Sequence, residues 1–183
     1  MKRSIIAAAC LLLAGPALAQ SIGEKTGVNS ALGVAPATAD FVKEVAISDM
    51  FEIESSKLAA QKGDAKEKTF AQQMVADHTK TSTELKTLVN GGKVQATLPT
   101  ALDSAHQSKI DKLKSETGKD FSSDYASYQV SAHEDAVSLF ERYARGGDNA
   151  ELKDWAGKTL PALKHHLDMA RDLGKAPNVG QSK

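Results

Sequence analysis

Apolar residues return along most of this chain every three or four positions, the period of a helix with one buried face. Asp40 opens a first long helix over residues 40–62, and Gly63 ends it. Asp64, with Glu67 three residues on, forms a capping box for a second helix over 64–90, stopped by Gly91 and Gly92. A crossing loop leads to a short amphipathic helix over 103–116. Gly118 breaks the chain, and Asp120 caps a third long helix that reaches residue 145. Gly146 and Gly147 turn it again, and Asp148 with Glu151 starts a fourth, ending near Leu173. No stretch alternates with period two between turn residues, so no strand is expected. Each long helix spans roughly 35–40 Å at ~1.5 Å per residue. Matched lengths and short turns predict an all-α, antiparallel four-helix bundle, with the short helix in the crossover between the second and third long helices. Pro161 falls inside the fourth helix, four residues after Gly157, and a kink or brief break is expected there.

The two ends read differently. Residues 1–19 have a basic start (Lys2, Arg3), an apolar run from Ile5 to Leu13, a Gly15-Pro16 break and an Ala17-Leu18-Ala19 cleavage site. That is the plan of a signal peptide cut after Ala19, and the apolar run is too short to span a bilayer. Export to the periplasm is the expected localisation, with no transmembrane segment in the mature chain. The only cysteine, Cys10, leaves with the signal peptide, so the mature protein must be held by its core without disulfides. Residues 20–39 are rich in Gly, Ser, Thr and Ala and read as a flexible leader. Residues 40–174 form the bundle domain, and 175–183 a flexible tail.

Charge narrows the field further. The chain of 183 residues carries 23 Lys+Arg against 23 Asp+Glu, which argues against a nucleic-acid protein with a net basic surface. No phosphate loop, nucleophile elbow or cysteine nucleophile is present, so no catalytic residue is assigned and enzymatic activity is the weaker expectation.

Chemistry should show where a polar residue interrupts a buried stripe. On the first helix, Phe41, Val45, Ser48, Glu52, Ser55 and Ala59 share a face on which Glu52 alone is charged. The corresponding faces of the other three long helices carry His78, His133 and His166. Each long helix therefore sends one ligand-capable side chain inward. Three of the four fall near one level by helical rise, with His166 offset by up to a turn or two. His106 reads as a packing or rim residue, and His165 as lying at the boundary or outside. Asp77 and Glu134 adjoin inward histidines but are rotated about 100° away, which makes them supporting residues at most.

Several of these motifs occur together: Phe41-Val42-Lys43-Glu44-Val45-Ala46, Glu52, Phe70-Ala71-Gln72-Gln73-Met74 with Asp77-His78, Leu98-Pro99, His133, and Leu160-Pro161-Ala162-Leu163 with His166. As a set they resemble the exported bacterial family catalogued as domain of unknown function 4142, whose members are often called outer membrane proteins. The resemblance covers nearly all of the mature chain and implies a ferritin-like fold in the cell envelope, with no settled activity. A helical chain without spanning segments does not suit an outer-membrane barrel, whereas a soluble periplasmic protein with peripheral envelope association does. A di-iron carboxylate centre is disfavoured, because Glu-x-x-His is absent from the sequence.

Two readings of the inward set follow. In the first, Glu52 and the histidines form a polar core network in a structural or accessory envelope protein. In the alternative, Glu52, His78, His133 and His166 hold a single transition-metal ion (Fe, Zn, Mn or Cu) in a storage, sensing or redox role.

Overall fold

A computed structural model describes residues 27–175; the signal peptide, its cleavage site and nearly all of the expected tail lie outside the described residues. Six helices occur among them, in the order α1 (Val28–Ala31), α2 (Thr38–Lys62), α3 (Ala65–Asn90), α4 (Ser104–Ser115), α5 (Gly118–Gly146) and α6 (Ala150–Leu173). The described residues are all-helical, with no strand. The four long helices pack as two hairpins, α2 with α3 and α5 with α6, joined through α2 against α5 and α3 against α6. The short α4 lies against α2 and α5.

The turns explain the pairing. Between α2 and α3 the chain reverses at Gly63, where a Cβ would meet the Ala59 carbonyl oxygen at 2.6 Å. The expected capping box follows: Glu67 N–H donates to Asp64 Oδ1 at 2.8 Å, and Asp64 N–H donates to Glu67 Oε2 at 2.7 Å. Gly147 ends α5 under the Tyr143 ring, where a Cβ would approach ring carbons to 2.5 Å. Lys62 Nζ donates to the carbonyls of Leu113, Lys114 and Glu116 at 2.8, 2.6 and 2.9 Å, tying the end of α2 to the end of α4.

Three helix starts differ from the sequence reading. Helix α2 begins at Thr38, so Asp40 sits in its first turn rather than capping it. There Asp40 still opposes the positive end of the helix dipole. Helix α5 begins at Gly118, which likewise moves Asp120 into the first turn. The cap of α6 is Asn149, whose side chain accepts from Leu152 N–H at 2.9 Å. Asp148 is occupied elsewhere, accepting from Thr38 Oγ1 and from Tyr143 Oη. The segment read as a flexible leader contains α1 and packs on α5: Ser30 and Ser138 hydroxyls lie 3.1 Å apart, and Arg142 Nη1 donates to Val34 O at 2.8 Å.

Buried apolar side chains fall into two clusters. One joins Phe41, Val45, Leu85, Phe140, Tyr143 and Leu163, with Phe41 stacked on Tyr143 at 4.0 Å between centroids. The other joins Ala59, Phe70, Met74, Leu113, Phe121 and Tyr125. Between them lies a band of buried polar groups, including Asp49, Glu52, Ser55, Gln129 and the three inward histidines.

Helix α6 runs unbroken through Pro161, which corrects the expected break. The proline is exposed, so the carbonyl it leaves unbonded can be solvated. At Gly157 a Cβ would lie 4.0 Å from Ala144 Cβ, an ordinary contact, so the approach of α6 to α5 does not require a glycine there. Because no packing is lost with the ring, Pro161→Ala should restore an intrahelical hydrogen bond and raise stability by up to ~3 kcal/mol. Urea unfolding followed by circular dichroism measures this; a lower midpoint would mean that the proline is accommodated by the packing of α6.

Candidate metal centre

Glu52 and Asp49 come from α2, His78 from α3, His133 from α5 and His166 from α6. All but His166, which stands one residue beyond it, lie in the middle third of their helices. The three imidazoles form a nearly equilateral triangle, with ring centroids 5.5 Å apart in all three pairs. The offset expected for His166 is therefore not seen. One nitrogen from each ring falls within 4.8 Å of the others, and all three residues are buried.

The outer nitrogens fix the rings. His78 Nδ1 meets Asp49 Oδ1 at 2.8 Å, and Asp49 Oδ2 accepts from Ser82 Oγ at 3.0 Å. His133 Nδ1 meets the Gln129 carbonyl oxygen, one turn back on α5, at 2.8 Å. His166 Nε2 meets Asp77 Oδ2 at 2.9 Å. A carbonyl or carboxylate oxygen only accepts, so each of these ring nitrogens carries the proton. In the neutral ring the other nitrogen keeps its lone pair. Those atoms are His78 Nε2, His133 Nε2 and His166 Nδ1, and none has a hydrogen-bond partner among the described residues. Both carboxylate oxygens of Glu52 are buried and unpartnered as well.

Glu52 is 1% exposed, and the tight nitrogen cluster forms without it. The structure thus brings three of the four sequence candidates within ligand distance of one another and buries the fourth on the remaining helix. His165 is exposed. His106 packs edge-on against Phe51 with centroids 5.3 Å apart. Of the two supporting candidates, Asp77 reaches His166, whereas Glu134 pairs with Arg171 at 2.9 Å on the surface.

Asp49 was legible only in part. It stands three residues before Glu52, hence one helical turn away on nearly the same face, but it does not fall on the 4-3 stripe through Phe41 and Val45. Its signal was an acid placed between Ile47 and Phe51, both of which are buried.

Burial and mutual charge set the protonation pattern. Burial first, then the positive charge of His78, push His133 down to about 3, against the opposing Gln129 carbonyl. His166 is lowered by burial and by His78, with Asp77 opposing. Burial also pulls on His78, but the hydrogen bond and charge of Asp49, with Glu52 and Asp77, outweigh it and raise that ring's pKa. Burial raises Asp49 despite His78. Glu52 is pushed up to about 7 by burial, against His78 and the Gln129 amide. Burial thus favours the neutral form of His133 and His166, whereas the acids around His78 favour its charged form.

The family model described as "Domain of unknown function (DUF4142)" matches residues 23–173. The chain belongs to the DUF4142 family. In this DUF4142 chain the match takes in all six helices and every residue of the polar band. No curated protein and no solved structure matches it. No helix among the described residues of this DUF4142 protein is long and apolar enough to cross a membrane.

Without metal, Glu52 and His133 act on stability with opposite sign. His133 is lowered from 6.5 to about 3, so acidification below 6.5 protonates the unfolded chain first and destabilises the fold. Glu52 is raised from 4.5 to about 7, so its contribution is present below 4.5 and is lost as pH rises through 7. Glu52→Gln removes the second effect and part of what raises His78, and both losses weaken the fold on the acid side. In chelator-treated protein it should therefore steepen the loss of stability between pH 6.5 and 4.5, read from urea midpoints. Equal slopes for parent and variant would show that Glu52 is not protonated in the folded state.

Proposed function

We propose that this protein is an exported, ferritin-like four-helix bundle that binds one transition-metal ion through His78 Nε2, His133 Nε2 and His166 Nδ1. The observation that carries the reading is a set of three buried, converging imidazoles, each with one nitrogen unpartnered and the other held by an acceptor. A metal-ligating histidine characteristically donates its other N–H to a carboxylate or backbone carbonyl, which fixes tautomer and ring orientation. All three rings here do so. Small ring rotations bring such nitrogens to the ~2.0–2.1 Å of a metal–imidazole bond.

A polar core network without metal is the weaker reading. Such a network should satisfy its members, and an unsatisfied buried polar group costs about 1–3 kcal/mol. In this band the three ring nitrogens and both Glu52 oxygens have no protein partner. Two of the three rings are already driven to the neutral form that a metal requires. A cation in the triangle would take the place of a proton on His78 Nε2 and give the Glu52 carboxylate a counter-charge.

Three imidazoles favour borderline ions, which places Zn²⁺ and Cu²⁺ ahead of Fe²⁺ and well ahead of Mn²⁺. The absence of Glu-x-x-His, together with a single cluster of ligating nitrogens among the described residues, supports one ion rather than a di-iron pair. Binding with a storage, sensing or accessory envelope role accounts for these features without a catalytic residue. The basic start, apolar run and Ala-x-Ala site of residues 1–19 support a periplasmic location, with Gln20 as the mature N-terminus.

Elemental analysis of protein purified without tag or chelator, followed by calorimetric titration with Zn²⁺ and Cu²⁺, tests the reading. One equivalent should bind. His133→Ala should abolish high-affinity binding, Asp77→Asn should weaken it by ~10–100-fold, and His165→Ala should leave it unchanged. A folded parent protein that takes up neither ion would remove the proposal.

A further inference from the structure

The polar band holds more unpartnered atoms than one ion satisfies. Among the described residues, the band's buried side-chain atoms without a hydrogen-bond partner are His78 Nε2, His133 Nε2, His166 Nδ1, both Glu52 oxygens and Gln129 Oε1. With the three rings neutral, as a metal requires, all six are acceptors. An ion takes the three nitrogens and leaves the three oxygens, and no side-chain donor stands among the band's unpartnered atoms to serve them. The orientation of the Gln129 amide is fixed by its neighbour. Ser55 Oγ donates its one proton to the Glu52 carbonyl oxygen at 3.3 Å, so toward Gln129 it only accepts. Gln129 Nε2 accordingly donates to Ser55 Oγ at 3.2 Å, which leaves Oε1 at the other edge of the amide. Gln129 is fully buried and stands one turn before His133, whose Nδ1 its backbone carbonyl meets at 2.8 Å. Glu52 stands one turn before Ser55 on α2, and its charge acts on His78. Resting on the metal reading above, we propose that the ion's fourth ligand is an enclosed water molecule, held by Glu52 and Gln129 Oε1 as the acceptors of its two protons.

Water is the ligand whose chemistry matches this set. It binds an ion through a lone pair and donates two O–H bonds, so one molecule serves both side chains. Three protein ligands and a water make up a familiar zinc coordination. A direct bond from Glu52 to the ion leaves Gln129 Oε1 without a donor, and the nitrogen cluster forms without Glu52. A water spans that separation, with ~2 Å to the ion and ~2.7 Å to each acceptor. None of the six atoms is open to solvent, so the water is enclosed together with the ion. Such a site offers an organic ligand no way to the metal and suits retention of the ion rather than turnover of a substrate. Glu52 and Gln129 are positioning residues for the water, and Ser55 is the residue that orients Gln129.

The test uses the full mature chain loaded with one equivalent of Cu²⁺, prepared in H₂O and in D₂O and read by pulsed electron paramagnetic resonance. The parent should show nitrogen modulation from three imidazoles together with strongly coupled deuterons from a directly bound water. Glu52→Leu and Gln129→Leu each remove an acceptor without adding a metal ligand. At least one that folds and keeps a full equivalent of copper should lose half or more of the deuteron modulation while its nitrogen pattern stays. Gln129→Glu, which keeps an oxygen acceptor at the same place, should retain the modulation. Three imidazole nitrogens without bound-water deuterons, the result that direct ligation by Glu52 gives, overturns the water and leaves the metal site standing. Deuteron modulation that survives in every folded, copper-loaded Leu variant overturns the roles of Glu52 and Gln129. A parent chain that takes up no copper overturns the metal site and the water together.

Discussion

The rest of the structure depends on a band of polar groups buried across the middle of four helices. Three imidazoles and a glutamate sit there with their inner atoms unpaired, in a place where apolar side chains would pack at no such cost. The band persists because it is clamped from outside. Asp49, Asp77 and the Gln129 carbonyl each hold one ring, and an apolar cluster above and another below fix the helices that carry them. Stability is thus supplied by the two clusters, and the band between them is free to serve chemistry.

That division places strict demands on register. A one-residue slip turns a side chain by about 100°, enough to remove it from a site only a few ångströms wide. Each hairpin is accordingly closed by a turn that tolerates little variation. At Gly63 a Cβ would collide with the Ala59 carbonyl oxygen, and at Gly147 with the Tyr143 ring. The capping box at Asp64 and the Asn149 cap set where α3 and α6 begin, and so how far His78 and His166 lie along them. Caps and glycines remote from the centre determine whether the three rings meet.

Electrostatics makes the centre asymmetric. His78 alone has acidic groups enough around it to offset burial, whereas His133 and His166 are depressed by burial and by the charge that His78 carries. The same ring lines a cavity of about 310 Å³.

The four long helices, the short α4, their order and the inward positions of Glu52, His78, His133 and His166 were determined by the sequence alone, because they follow from local rules; α1, inside the segment read as a leader, was not. Glycine stops, acidic starts and a 3.6-residue period act within one helix and need no partner. Helix starts were legible to within two residues; the differences at Thr38 and Asn149 arise because Asp148 is drawn to Thr38 and Tyr143, contacts made across more than a hundred residues in one case. Pro161 read as a break because the local cost of proline is visible in sequence, while its exposure, which lets the helix continue, is not. Only the tertiary structure decided which acid serves which histidine. Asp49 lies off the simple stripe and Asp77 points away from the interior by helical phase, yet each meets a ring presented by a neighbouring helix. Tautomer, pKa and the adjoining cavity belong to that second level for the same reason. They are set by groups brought together from different helices, and helical periodicity carries no information about what stands opposite.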